Sequence, residues 1–225
     1  MATMTATDQT RVVLADDHTV VAEGLQTLLE RAFQLCGVVS DGEALVEAAD
    51  RLKPDVIVTD ITMPRLNGLD AIRQLRARGN PARAVVLTMH ADAFLAAEAF
   101  RAGASGYVLK HSAGEELIRA IRMVHQGLLF IPPLMARDLM SELNNPGQRR
   151  SALVTLTPRQ RQILQLSAEG HSLKHIATIL KLSRRTVESH KYRLMRTLGV
   201  HSTAELIACA ARLGLIAVQS PHSLQ

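Results

Sequence analysis

Apolar residues follow two rhythms along the first half of the chain. Short β-branched runs lie near Arg11–Ala15, Leu35–Val39, Val56–Thr59, Ala84–Thr88 and Gly106–Leu109. They read as strands. Between them apolar residues recur every three or four positions: Val20, Leu25, Leu28 and Leu29; Ala44, Leu45 and Ala48; Leu69, Ile72 and Leu75; Leu117, Ile118, Ile121 and Val124. That spacing predicts amphipathic helices, and Asp41 and Asn67 stand where helix N-caps belong. The stretch from about Asp92 to Ala102 is mostly alanine, with Phe94, Leu95 and Phe100, and has the least decisive periodicity. Strands alternating with helices predict an α/β fold built on a parallel sheet.

The pattern changes after Gln126. Pro132-Pro133 breaks the chain, Leu134 to Leu143 has room for a short helix, and Asn144-Asn145-Pro146-Gly147 is rich in turn formers. Beyond it only the helical rhythm remains. Four helices are expected near Pro158–Ala168, Leu173–Leu180, Arg184–Leu198 and Thr203–Leu213. Thr157 before Pro158 is an N-cap followed by proline at the first helical position, Gly170 ends that helix, and Ser172, Ser183 and Ser202 cap the next three. The three-residue join Lys181-Leu182-Ser183 suits a helix-turn-helix. The domains are therefore expected at 10–127 and 152–217, with a linker over 128–151.

Charge separates the same two modules. Residues 1–126 hold 13 Lys and Arg against 16 Asp and Glu, a net of −3, whereas residues 149–225 hold 12 against 3, a net of +9. A compact basic module is an electrostatic footprint for nucleic acid. No apolar run approaches the roughly 18 residues that span a bilayer. The small polar start, Met1 to Thr10, does not read as a signal peptide. A cytoplasmic protein with no membrane partner is expected, with Cys36 and Cys209 as thiols.

The strand-like runs also carry the candidate chemistry. Leu14-Ala15-Asp16-Asp17-His18, Val58-Thr59-Asp60, Val86-Leu87-Thr88 and Tyr107-Val108-Leu109-Lys110 all pass from apolar to polar at their ends. Parallel strand ends meet at one sheet edge, where open α/β sheets bind ligands. Three carboxylates there suit a hard cation such as Mg²⁺, and a hydroxyl with an ammonium suits a phosphoryl group. With Met63-Pro64, Asn67-Gly68 and Gly103-Ala104-Ser105-Gly106, this order resembles the receiver domain of bacterial two-component response regulators from about Arg11 to Gln126. The resemblance implies a flavodoxin-like (βα)5 doubly wound domain. It also implies that Asp60 is the phosphoacceptor, with the cation held by Asp16, Asp17, Asp60 and the backbone carbonyl of Thr62. Lys110 and Thr88 would bind the phosphoryl group, and Tyr107 would turn inward when Thr88 moves. His111 stands where many receivers have proline, and His90 is not expected to carry phosphate.

The second module is similar to the LuxR-type helix-turn-helix of the NarL/FixJ subfamily. The likeness rests on Leu156-Thr157-Pro158-Arg159-Gln160-Arg161, Thr186-Val187-Glu188-Ser189-His190, Leu198-Gly199-Val200 and Ala204-Glu205-Leu206. Gln160 replaces a usual glutamate, Leu173 a common asparagine, and His175 a common glutamate or glutamine, which puts local salt bridges in doubt. At 100° per residue, Val187, Leu194 and Leu198 face the core of this all-α domain. Arg185, Ser189, Tyr192 and Arg196 centre on the opposite side, flanked by Glu188 and Arg193, as a recognition helix requires. Arg184 opens the same helix, and Lys174, Lys191 and Thr186 are candidates for phosphate contacts. The expected protein takes a phosphoryl group from a sensor histidine kinase, dimerises when active and binds promoter double-stranded DNA. Its only catalysis would be its own phosphorylation and dephosphorylation. A haloacid dehalogenase-type phosphatase is disfavoured, because Thr62 stands where its second aspartate belongs. The alternative is a phosphorylation-independent transcription factor whose receiver-like domain serves dimerisation or protein interaction.

Overall fold

The computed structural model describes residues 10–89, 91–144, 156–212 and 215. It divides into two compact units between Gly147 and Gln148. His90, the Asn145-Pro146-Gly147 turn, the basic Gln148–Arg150 run and the ends expected at Leu213 and 217 lie outside the described residues.

The first unit alternates strands and helices: β1 (Arg11–Ala15), α1 (Thr19–Ala32), β2 (Gln34–Val39), α2 (Gly42–Leu52), β3 (Val56–Asp60), α3 (Gly68–Ala77), β4 (Arg83–Thr88), α4 (Ala93–Ala102), β5 (Gly106–Leu109) and α5 (Ala113–His125). The sheet is parallel throughout, in the order β2-β1-β3-β4-β5. Every residue of β3 is buried, as a central parallel strand covered on both faces must be. Alternate residues Val12, Leu14, Val56, Val58, Val85 and Leu87 share one core with Leu25 and Leu29 of α1 and Leu117, Ile121 and Val124 of α5. The order reverses between β1 and β3, so the crevice for a ligand opens beyond their carboxyl ends.

The weak period of α4 has a packing cause. Phe94, Leu95, Ala96, Ala97, Glu98, Ala99 and Ala102 are all buried, because α4 lies between α3 and a further helix, α6 (Ala136–Asn144). A helix covered on several sides carries no single apolar stripe. Asp92 supplies the missing boundary signal, accepting from the N–H groups of Phe94 and Leu95.

Residues 128–144, expected to be linker, belong to the first unit. Phe130 donates its N–H to Ser105 O and accepts from Tyr107 N at its carbonyl, both at 3.0 Å, and its ring enters the core. Met135 and Leu139 are buried as well. Phe130 thus pairs along the β5 edge just before the Pro-Pro break, and after it α6 packs on α4.

A buried ion ladder joins α3 to α4. Arg73 reaches Asp70 with Nη1 (2.8 Å) and Glu98 with Nη2 (3.2 Å), and Arg101 Nη1 meets the other Glu98 oxygen at 2.9 Å. Asp70 and Glu98 are 2% and 4% exposed, so each needs compensation, which these guanidinium groups and, for Asp70, the Asn67 amide at 3.1 Å supply. Arg73→Met is expected to destabilise the first unit by about 2 kcal/mol, since it removes the guanidinium that two buried carboxylates share and leaves Glu98 with Arg101 and Asp70 with the Asn67 amide. Urea unfolding checks this, and a loss below about 1 kcal/mol would show that the ladder is solvated.

The second unit holds α7 (Pro158–Ala168), α8 (Leu173–Ile179), α9 (Arg184–Leu198) and α10 (Thr203–Arg212). Thr157 and Gln160 close a capping box: Thr157 Oγ1 accepts from Gln160 N, and Gln160 Oε1 accepts from Thr157 N at 2.8 Å. Glutamine therefore does here what the usual glutamate would do, and the cap is complete. Ser172, Ser183 and Ser202 accept from the N–H groups of His175, Thr186 and Glu205. Ile163, Leu166, Ile176, Ala177, Leu180 and Val187 form the core where α7, α8 and α9 meet.

Candidate functional site

The strand register assembles the acidic pocket. Ala15 lies opposite Thr59, Asp60 opposite Leu87, and Thr88 opposite Leu109. Asp16, Asp60, Thr88 and Lys110 therefore emerge within one residue of the same sheet edge. Lys110 Nζ stands 2.7 Å from both Asp16 Oδ2 and Asp60 Oδ2. Asp60 Oδ1 accepts the Ile61 N–H at 2.6 Å, which orients the carboxylate. Asp16 and Asp60 are 2% and 5% exposed, whereas Asp17 is open to solvent.

Burial raises the Asp60 carboxyl above its ordinary value, and the Asp16 charge adds to this, against the opposing pull of Lys110. Burial pulls the Lys110 ammonium down, but Asp60 and Asp16 outweigh it and hold the group above its ordinary value. The pocket thus concentrates more negative charge than one ammonium offsets. A dianionic phosphoryl donor needs further positive charge to approach it.

The donor set fits a divalent cation. Ligand atoms of Asp16, Asp17, His18 and Asp60 lie within 4.8 Å of one another. An octahedral ion with bonds of about 2.1 Å spans neighbouring ligands at about 3.0 Å and opposite ones at about 4.2 Å. Oxygen donors at that spacing match a hard ion. His18 joins this group without having been expected there; its one sequence signal is that it directly follows the acidic pair. Thr62 follows Asp60 by two residues in the β3–α3 loop.

Gly68 sets how closely that loop returns to Asp60. It donates to Ile61 O at 2.9 Å, and a Cβ there would lie 1.9 Å from the Asp60 carbonyl oxygen. Gly68→Ala is expected to lower phosphoryl incorporation from acetyl phosphate at least tenfold while removing no functional group, because misplacing a reacting atom by an ångström costs about two orders of magnitude. Phosphate incorporation beside a thermal melt checks this, and wild-type labelling by a folded variant would overturn it.

Tyr107 is fully buried in this conformation. Burial raises its phenol, and the charges of Asp92 and Asp60 add to the shift. The ring expected to turn inward on modification is therefore already inward. Thr88, 1% exposed, ends the neighbouring strand.

In the second unit α9 presents the expected face. Val187 and Leu194 are fully buried, whereas Arg184, Arg185, Glu188, Ser189, Tyr192, Arg193 and Arg196 are exposed, and Thr186 and Lys191 are half-buried. Lys174 is exposed on α8. Three of these residues are engaged locally. Arg184 Nε holds Glu188 Oε1 at 2.9 Å, and the Thr186 hydroxyl lies 2.7 Å from Ser183 Oγ. The Arg196 guanidinium lies 6.0 Å from the Tyr192 ring centre. Arg193 and Arg196 also line a groove with Gln160 and Thr197 between α7 and α9, a pairing that periodicity within α9 does not reveal.

Comparisons with known proteins agree with both units. Residues 12–122 match the response regulator receiver domain, and residues 154–210 match the bacterial regulatory proteins of the luxR family. The chain is 32% identical over 206 residues to the response regulator UvrY of Escherichia coli (strain K12), covering 91% of this chain and 94% of UvrY. It is similar to a solved Salmonella typhimurium RcsB response regulator (TM-score 0.64, 26% identity, 92% of this chain and 98% of that one). It is also similar to RcsB in a solved RcsB–DNA complex (TM-score 0.56, 27% identity, 91% and 98%). The chain belongs to the NarL/FixJ family of two-component response regulators, with a receiver domain followed by a LuxR-type helix-turn-helix domain.

Proposed function

We propose that Asp60 is the phosphoacceptor of this regulator, that a sensor histidine kinase supplies the phosphoryl group, and that modification promotes binding of the basic domain to promoter DNA. The observation that carries the reading is Lys110 Nζ set between Asp60 and Asp16 at 2.7 Å, at the switch point of the sheet. A Mg²⁺ ion held by Asp16, Asp17, Asp60 and the Thr62 carbonyl would screen the charge between carboxylate and phosphoryl oxygens.

This chain's own groups do the rest. An Asp60 carboxylate oxygen attacks phosphorus in line, forming an O–P bond as the bond to the donor imidazole breaks and that nitrogen takes a proton. Lys110 then exchanges part of its pairing with Asp60 for a phosphoryl oxygen, as a point charge suited to that role. The Thr88 hydroxyl donates to another oxygen and draws its loop toward the site, with Tyr107 as the aromatic that holds the shifted loop. The acyl phosphate carries about −2 where the carboxylate carried −1, so the charge in the pocket changes and the α4–β5 face rearranges as a two-state switch. Hydrolysis of the acyl phosphate by water resets it.

In the second domain α9 enters the major groove, with Arg185 and Ser189 aimed at base edges. Lys174, Lys191, Thr186, Arg193 and Arg196 position the duplex through its phosphates. A homodimer would meet two half-sites; the similar protein RcsB has been solved as two dimers bound to two parallel DNAs. The site of action is the cytoplasm, where promoter DNA lies. Among the described residues no helix is long and apolar enough to cross a membrane.

The test is binding of the full chain to promoter-length DNA with and without acetyl phosphate and Mg²⁺, at fixed salt. Tighter specific binding with the donor supports the switch. Equal binding in both states would assign the receiver to dimerisation or protein interaction without phosphate.

A further inference from the structure

We propose that the groove between α7 and α9 is a phosphate-binding site, and that through it Gln160 extends the DNA-binding surface onto α7, outside the helix-turn-helix. The inference rests on the reading of α9 as the helix that meets the duplex.

Gln160 is fixed by the capping box of α7, where its Oε1 accepts from Thr157 N at 2.8 Å. That bond uses the acceptor of the amide and leaves both Nε2 hydrogens to donate elsewhere. Gln160 lines a groove of about 440 Å³ with Arg193, Arg196 and Thr197. The three α9 residues follow the i, i+3, i+4 spacing, so they stand together on one side of that helix. Among the described residues no carboxylate lines the groove or pairs with either guanidinium. Two like charges at that spacing repel each other. The first turn of α7 adds the positive end of a helix dipole. An oxyanion is the group that relieves all of this at once.

The position along α9 decides which part of the duplex the groove meets. A recognition helix touches base edges with its N-terminal residues. Arg185 sits at that end, and Arg196 lies on the same side of the helix but about 16 Å further along its axis. Its guanidinium is left for the sugar-phosphate backbone that borders the major groove. Guanidinium groups take phosphate oxygens in pairs of parallel bonds, and the Gln160 amide and Thr197 hydroxyl supply neutral donors of the kind that fix a phosphate in place. A soluble phosphate ester would meet the same donors, so the shared chemistry is a phosphate oxyanion and the duplex is the source that the placement of α9 favours.

The test is binding of the full chain to specific and scrambled duplexes at two salt concentrations, with inorganic pyrophosphate as a soluble probe. Gln160→Glu is the decisive variant. Glutamate closes the same capping box and places an anion at a helix N-terminus, so the variant should melt no lower than the wild type. Its affinity for both duplexes should nevertheless fall about tenfold, because a carboxylate replaces a donor to a charged group. The salt slope should drop by about 1. Arg193→Gln should lower affinity and slope in the same way. Wild-type binding by Gln160→Glu beside weakened binding by Arg193→Gln would overturn the α7 contact and leave α9 on the duplex. Wild-type binding by both variants would overturn both readings. Pyrophosphate binding that Gln160→Glu abolishes, with duplex affinity unchanged, would assign the groove to a soluble phosphate ligand and overturn the DNA contact.

Discussion

Asp60→Asn is expected to abolish phosphoryl incorporation from acetyl phosphate and Mg²⁺, and with it any donor-dependent gain in DNA affinity. The amide keeps the shape of the carboxylate but offers no nucleophilic oxygen. Asp16 and Asp17 carry carboxylates too, so stoichiometric labelling of the variant would move the acceptor elsewhere in the pocket. The same substitution should raise stability when no divalent cation is present. A carboxyl whose folded-state pKa lies above its unfolded value, near 3.8, stabilises the fold at low pH, and that contribution is lost as pH rises through the folded value. Asparagine carries no such desolvation cost. The variant should therefore melt higher than the wild type near neutral pH, and the difference should shrink as pH falls toward the ordinary carboxylate range. Lys110 keeps Asp16 as a partner at 2.7 Å, so the variant does not strand a buried cation. Mg²⁺ should reverse the ranking, because a ligand at a hundred times its Kd stabilises the native state by about 2.7 kcal/mol. A wild type that melts higher than Asp60→Asn without cation would mean that the Lys110 pairing outweighs burial.

Arg185→Ala is expected to weaken binding to a specific promoter site by about 1–3 kcal/mol and to relax preference at one base position. Arg185 is exposed on α9, whereas its neighbour Arg184 leans on Glu188. A bidentate bond to guanine is the interaction that it is best built to make. Lys174→Ala is the contrast. Removing the exposed ammonium there should weaken all sequences about equally and lower the salt slope by about 1. Fluorescence anisotropy on specific and scrambled duplexes at two salt concentrations separates the two. Equal losses on both duplexes for Arg185→Ala would place it on the DNA backbone.

Much of this architecture is legible in local sequence because local interactions make it. The caps at Asp41, Asn67, Thr157, Ser172 and Ser183 all act within three residues of themselves, and each accepts the bond its position implies. The β-branched runs and the Val187–Leu194 stripe follow from periodicity alone. What local pattern hides was decided at long range. The alternation of α4 is obscured because α3 and α6 cover it, and Glu98 looks like a solvated charge until Arg73, 25 residues away, meets it. Phe130 resembles part of a linker until Ser105 and Tyr107 take up its backbone groups.

The pocket shows the same division. Sequence by itself determined which groups are available: the acidic pair, Asp60, Thr88 and Lys110, each at the end of an apolar run. It also determined the exposed basic face of the helix from Arg184, since 3.6-residue geometry needs no partner. Only the tertiary structure decided that Lys110 spans Asp16 and Asp60, that Tyr107 lies inward, and that the His18 ring turns onto the carboxylates instead of capping its helix. The reason is physical. Strand order and register bring together side chains 50 residues apart, and burial then sets the electrostatic balance that makes a carboxylate a reactive site instead of a solvated charge.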